Sequence, residues 1–410
     1  MFDPYKIRKD FPMYTNKTKM QGHDLVFLDN ASTTFKPQCV IDTMNYYNEH
    51  ETANSARGDY DTMYHVDQRI LKTRQIVADF INADVDEIVF TSGTTASLNL
   101  VAFGYFANHL KKDDEILITV AEHASNTLPW YKLQERIGCK VKYIPLTEEG
   151  RLTVENVEKS ITKNTKVISV ANVTNVLGFY TDMKPICDLA HKNGILVVCD
   201  GAQSVPHCKT DVKALDIDFL GFSGHKMLGP TGIGVLFGKK ELLAETEPLF
   251  YGGGMNEVFE MGGSYVLHAA PKKLEGGTEN IQGIYGLGAA IEYLNKLGLD
   301  NISKYEKELR SYALEKMKAI EDIIIYNENA ESGIISFNIK GVFAQDLATL
   351  LNSKGIACRS GNHCAKNLKN QIHEIATVRA SIYFYNTKEE IDALVEALKE
   401  GGNFLDAYFA

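Results

Sequence analysis

Only one of the 410 residues is tryptophan, and the seven cysteines are scattered, with no pair at the CxxC spacing of zinc or redox sites. An odd, dispersed set of thiols excludes both a disulfide framework and a zinc ribbon, and predicts reduced thiols in a cytoplasm. No apolar run reaches the roughly 20 residues needed to cross a bilayer, so no membrane span is expected. The first residues, MFDPYKIRKDFPMY, mix charge and aromatics where a signal peptide would carry an apolar core. A basic excess is missing as well: the net charge is −10, which argues against a broad face for nucleic acid. Internal repeats and low-complexity stretches are absent from the sequence.

What is present is ordinary globular material, 44% hydrophobic and 23% charged, in a chain long enough for more than one domain. From DEIVFTS to GIGVLFG, short apolar runs alternate with helical patterns. Seven such runs predict a mainly parallel α/β sheet covered on both faces. Beyond Gly288 the texture changes. A long charged helix leads into SGIISFNIKG, IACRSG and TVRASIYFYN, with a last helix at KEEIDALVEALKEG. The division expected is a large domain over 21–288 and a smaller α+β domain built from 1–20 and 289–410.

In open α/β sheets, ligands bind beyond the carboxyl ends of the strands. Polar groups gather at those ends: Ser92 to Thr95, His123, Asn175, Asp200, Gln203, and Ser223 to Lys226. The strand-end rule predicts that they converge. Taken singly, each has a plain explanation. Thr94 and Thr95 in TSGTTASLNL read as a helix cap or as a phosphate cradle. Asp200 in VVCDGAQS reads as a turn carboxylate or as the partner of a cationic ligand. Lys226 in GFSGHKMLGP reads as a snorkelling surface lysine or as a desolvated amine that attacks carbonyls. Together in one sheet they match what pyridoxal 5′-phosphate requires: a Schiff-base lysine, an acid for the pyridinium nitrogen and a phosphate cup.

DGAQ followed by SGHKMLGP resembles the class V aminotransferases of PLP-dependent transferase fold type I. LDNASTT, AEHASN, NVLG, EGGTEN, RSGNHCA and VRASIYFYN narrow the resemblance to the group II, SUF-type cysteine desulfurases, over nearly the whole chain and in family order. The resemblance implies that Lys226 carries the cofactor, Asp200 meets its ring nitrogen, Gln203 its ring oxygen, and His123 stacks on the ring and shuttles protons. Thr94, Thr95, Ser223 and His225 would hold the phosphate. Thr278 would reach the phosphate of a neighbouring subunit, which implies a homodimer. Arg379, Asn175 and Ala31 would bind the substrate, L-cysteine, with Arg379 on its carboxylate and Asn175 near both that carboxylate and the cofactor's ring oxygen. Cys364 lies in a polar, glycine-bearing loop beside His363. It would take the sulfur as a persulfide and pass it to an acceptor protein of iron–sulfur assembly. A zinc site from His363, Cys358 and Cys364 lacks a suitably spaced fourth ligand, so no metal is expected. The chain departs from the family pattern at Ala56, Tyr60, Ala96, Gly254 and Asn362. Selenocysteine lyase, another class V C–S lyase or aminotransferase, and a non-catalytic scaffold are the competing readings.

Overall fold

The structure, a computed structural model, describes residues 2–55 and 58–400. Ala56, one of the departures, lies outside the described residues. The central element is a seven-stranded sheet: β1 Ile88–Thr91, β2 Glu115–Ile118, β3 Lys140–Tyr143, β4 Thr165–Ala171, β5 Leu196–Asp200, β6 Phe219–Ser223 and β7 Gly234–Gly238. Their order is β1-β7-β6-β5-β4-β2-β3, and β7 alone runs antiparallel to its neighbours. The sequence expectation of a mainly parallel seven-stranded α/β sheet is met.

The two-residue period of a strand explains why both faces are apolar. Phe90, Leu117, Ile168, Val170, Val197, Leu220 and Val235 point into one core, which helices Gln38–His50, Asp61–Ile81, Met183–Lys192 and Ile281–Leu297 complete. Val89, Ile116, Val167, Val198, Phe219 and Leu236, the intervening residues, enter a second core with Trp130, Leu133 and Phe106. Edge strand β3 breaks the rule: Lys140, Lys142 and Tyr143 are exposed. Charged side chains on an edge discourage pairing with other chains.

A second sheet is antiparallel, in the order β8-β9-β11-β10, from β8 Ile323–Ile325, β9 Ile334–Ile339, β10 Arg359–Gly361 and β11 Thr377–Ser381. Its core face carries Ile335, Phe337, Val378 and Ala380 against helices Leu299–Met317, Ala344–Ser353 and Lys388–Lys399. The same alternation turns Ser336 and Arg379 the other way, toward the loop that follows β4. Ser336 Oγ donates to Val176 O at 2.6 Å, and Arg379 Nη1 donates to Asn175 O at 2.8 Å. Helix Ile281–Leu297 runs on through residue 288, and the main core extends to Ile302. Among the described residues no helix is long and apolar enough to cross a membrane.

Candidate active site

Five strands deliver polar side chains to one cavity of about 200 Å3. From beyond β1 come Thr94 and Thr95, from beyond β2 His123, from beyond β4 Asn175, from β5 Asp200 and Gln203, and from β6 Ser223, His225 and Lys226. The second sheet adds Arg379 and Arg359, the turn after β10 adds His363, and the segment before the first long helix adds Ala31 and Ser32. The strand-end expectation is corrected at one position: Ser92 lines a different groove, with Leu249 and Phe250. Thr278 also lies elsewhere, on a separate cleft of about 860 Å3.

Local chemistry fixes each group. Gly93 precedes the helix that starts at Thr94 with φ at +146°, a conformation that a side chain opposes. The turn brings Thr94 N–H to 2.8 Å and Thr94 Oγ1 to 2.7 Å from Ser223 Oγ. Thr95 Oγ1 meets Ser125 Oγ at 2.7 Å, and Ser125 Oγ also lies 3.1 Å from His123 Nδ1. Ser125 N–H donates to that same Nδ1 at 3.1 Å, which places the proton of the neutral ring on Nε2. Burial lowers the His123 pKa; Asp200 opposes the shift, and Lys226, Arg359 and Arg379 add to it.

Asp200 is buried at the end of β5, with Oδ1 accepting from Ala202 N–H at 2.9 Å. Lys226 Nζ meets no hydrogen-bonding partner among the described residues, and burial brings its pKa from 10.5 to about 8 against the pull of Asp200. His225 falls to about 4 through burial, with Lys226 and Lys36 contributing. Its carbonyl is clasped by Thr33 Oγ1, Thr34 Oγ1 and Thr34 N–H, at 3.1, 3.1 and 3.0 Å. Those bonds tie the LDNASTT segment to the lysine loop. Gln203 Nε2 donates to Ala31 O at 2.7 Å. Arg379 is 1% exposed; its Nη2 holds Asp29 Oδ1 and Ser32 Oγ, and its buried Nε has no partner.

Cys364 stands at the rim, outside the lining of the cavity, against the lining residue Arg359. Among the described residues no hydrogen bond joins this thiol to His363, whose Nδ1 is buried without a partner. His363 Nε2 lies 3.0 Å from both Thr377 O and Thr377 Oγ1, and burial takes the ring's pKa down to about 3. The group at the sulfur is Arg359, with Nη2 3.7 Å from Sγ. Asn362, a departure from the family pattern, accepts from Cys364 N–H through Oδ1 at 3.1 Å and so shapes the thiol turn.

Arg359, Ser32, Ser125 and Glu122 go unmarked in the sequence as site residues. Glu122 sits buried behind His123, bonded by Thr119 Oγ1 at 2.7 Å and Asn126 Nδ2 at 2.8 Å, and burial raises its pKa to about 8. AEHASN contains Glu122 and Ser125 and RSGNHCA contains Arg359, but position within a motif does not tell which atom touches which.

These residues fit pyridoxal phosphate. An unpartnered, desolvated amine suits Schiff-base formation, and a buried carboxylate lines the same small cavity. A helix N-terminus with two threonines and a serine hydroxyl offers donors for an anion. A Cβ on Gly93 would come within 3.3 Å of Ser223 Oγ and crowd that cradle.

Comparison with known proteins agrees with this geometry. The family model "Aminotransferase class-V" matches residues 26–394. A protein of Halalkalibacterium halodurans named "Probable cysteine desulfurase" is 42% identical over 408 residues, 99% of each chain. A solved cysteine desulfurase of Escherichia coli superposes with a TM-score of 0.91 at 35% identity, covering 98% of this chain and 99% of that one. Another, from Thermococcus onnurineus NA1, gives 0.92 at 36% identity over 98% of both chains. The chain belongs to the aminotransferase class-V family.

Proposed function

We propose that this protein is a pyridoxal-phosphate-dependent cysteine desulfurase of the group II, SUF type, a cytoplasmic homodimer that passes sulfur to an acceptor protein for iron–sulfur assembly. In this reading the portion made of 1–20 and 289–410 carries the nucleophile loop to a cofactor site built on 21–288. The single observation that carries the proposal is the juxtaposition of an unpartnered Lys226 amine, Asp200 and Arg379 in one cavity, with the Cys364 thiol at its rim against a cavity-lining guanidinium.

Bound pyridoxal phosphate supplies the electron sink for charge that develops at the substrate α-carbon. Thr94, Thr95, Ser223 and His225 would hold its phosphate, joined by Thr278 of the partner subunit. Asp200 would keep a proton on the ring nitrogen, Gln203 would serve the ring oxygen, and His123, with its own proton at Nε2, would stack on the ring. Arg379 Nε, buried without a partner, offers a charge-assisted donor to the carboxylate of L-cysteine, beside Asn175 and Ala31. Lys226, its pKa close to neutrality, takes the α-proton. Cys364 as thiolate attacks the substrate sulfur. A sulfur–sulfur bond forms while the Cβ–S bond breaks, and the electron pair stays with the three-carbon fragment. Protonation releases that fragment as alanine, and Cys364 keeps the persulfide.

The test is Cys364→Ser in the cofactor-loaded protein. Alanine and sulfide production from L-cysteine should be abolished while the cofactor stays bound, and mass analysis of wild type should find one added sulfur on Cys364. Full cysteine turnover by the variant would refute the persulfide route, and retained cleavage of selenocysteine alone would favour a lyase.

A further inference from the structure

Arg359 on β10 and Arg379 on β11 are directly opposed in register. Like charges placed opposite one another destabilise a sheet unless something relieves them. A carboxylate relieves one of the two: Arg379 Nη2 lies 3.0 Å from Asp29 Oδ1. Among the described residues Arg359 has no carboxylate partner; its contacts are Ser32 Oγ at 3.0 Å through Nη1 and Cys364 Sγ at 3.7 Å through Nη2. The Ser32 hydroxyl is fully used. It donates to Asp29 Oδ1 at 2.7 Å and accepts from both arginines, so it adds no negative charge at Arg359.

The thiol opposite is fixed by its backbone. Cys364 N–H is held by Asn362 Oδ1 at 3.1 Å, and Cys364 O accepts from Ala124 N–H at 2.7 Å. His363, the neighbour in sequence, turns Nε2 to Thr377, and no hydrogen bond joins its ring to the sulfur among the described residues. An unneutralised guanidinium, anchored at one nitrogen and aimed with the other at a pinned sulfur, is a built anion site.

We propose that Arg359 is the cation that holds the sulfur anion on Cys364, as thiolate before sulfur transfer and as the terminal sulfur of the persulfide after it. The inference rests on the proposed role of Cys364. Formation of the sulfur–sulfur bond moves the charge outward by about 2 Å, and the guanidinium, whose charge is spread over a planar fork, stays close to it through Nη2, whereas a single ammonium is a point charge. Arg359 thereby keeps the transferred sulfur charged and in place until an acceptor takes it.

The experiment uses the cofactor-loaded enzyme without substrate and reads alkylation of Cys364 by peptide mass analysis. In Arg359→Gln, or Arg359→Met should the first not fold, iodoacetamide is expected to react about fivefold more slowly at pH 7. The preference for anionic iodoacetate over neutral iodoacetamide is expected to fall about threefold. Arg359→Lys should recover at least half of the lost rate. Unchanged rate and unchanged preference in a folded neutral variant would overturn the proposal, and so would a slow variant that lysine does not rescue. Full cysteine turnover by Cys364→Ser would instead remove the persulfide reading while leaving the alkylation result intact, so the two failures are told apart.

Discussion

At the scale of the residue, the Lys226 amine shows how one side chain trades stability for reactivity. Burial takes its pKa from 10.5 to about 8, so between those values the unfolded chain binds the proton and the folded chain does not. Stability contributed by this group therefore rises with pH across that window, and the cost of burying the charge is fully present below about 8. Methionine keeps the length and removes the charge. Cofactor-free Lys226→Met is expected to melt above cofactor-free wild type at pH 7, with the gap closing as the pH climbs toward 10. Equal melting temperatures at pH 7 would mean that the amine is solvated. In the presence of pyridoxal phosphate the order should reverse, since wild type alone can bond the cofactor covalently and so gain the stabilisation of a tightly held ligand.

At the scale of the element, the antiparallel strand β7 sets the shape of the proposed phosphate cup from behind. Gly234 pairs with Thr91 on one side and Ser223 on the other. A Cβ at Gly234 would come within 2.4 Å of Gly93 Cα and 2.6 Å of Phe222 O, and backbone cannot swing away as a side-chain tip can. Gly234→Ala is expected to cost about 1–3 kcal/mol of stability, as overpacking does. It should also weaken pyridoxal phosphate binding by about tenfold, about 1.4 kcal/mol, because Gly93 and Thr94 must shift. Thermal melts and a cofactor titration measure the two effects, and wild-type cofactor affinity would show that the cup does not depend on this close approach. The sheet is legible in the sequence because its strands are short apolar runs ending in polar turns, and burial on both faces demands that pattern. The hairpin of Asn256–Phe259 and Tyr265–Leu267 is not legible on those grounds: Val258, Phe259, Tyr265 and Val266 are exposed, so no pattern of burial marks it. In the site, Lys226, Asp200 and Arg379 announce themselves as charges at the ends of or within apolar strands. Arg359 does not, because its partnership with the thiol follows from pairing with β11 and from the local turn that Asn362 makes with Cys364, neither of which shows as an apolar pattern. Nor does the adjacency of His363 to Cys364 tell where its ring nitrogens point: Nε2 meets Thr377.

At the scale of the whole molecule, Thr278 stands apart from the lysine cavity. Its hydroxyl accepts from Asn54 Nδ2 at 3.3 Å and lines the larger cleft, with Tyr64, Leu71, Arg74 and Glu275, rather than the cavity of Lys226. The floor of that cleft is firm: Arg74 grips Glu275 in a bidentate pair at 2.7 and 2.8 Å, and Glu275 accepts from Phe90 N–H at 2.6 Å. Phe250, Phe259 and Met261 are exposed, and the proposed homodimer would give such side chains a surface to pack against. If Thr278 serves the phosphate, it must then serve the partner's site. Mixed dimers separate the possibilities. Lys226→Ala lacks the cofactor amine, and Thr278→Val should bind pyridoxal phosphate about tenfold more weakly, the cost of one lost hydrogen bond to an anion. A dimer with one chain of each kind has one site that combines Lys226 of the valine protomer with Thr278 of the alanine protomer. That site is expected to bind the cofactor as tightly as wild type and to give about half the wild-type turnover per dimer, because one of the two sites is whole. If the mixed dimer shows only the weakened affinity of the Thr278→Val protein, the threonine acts within its own chain. Light scattering that finds single chains at working concentration would remove the shared site altogether.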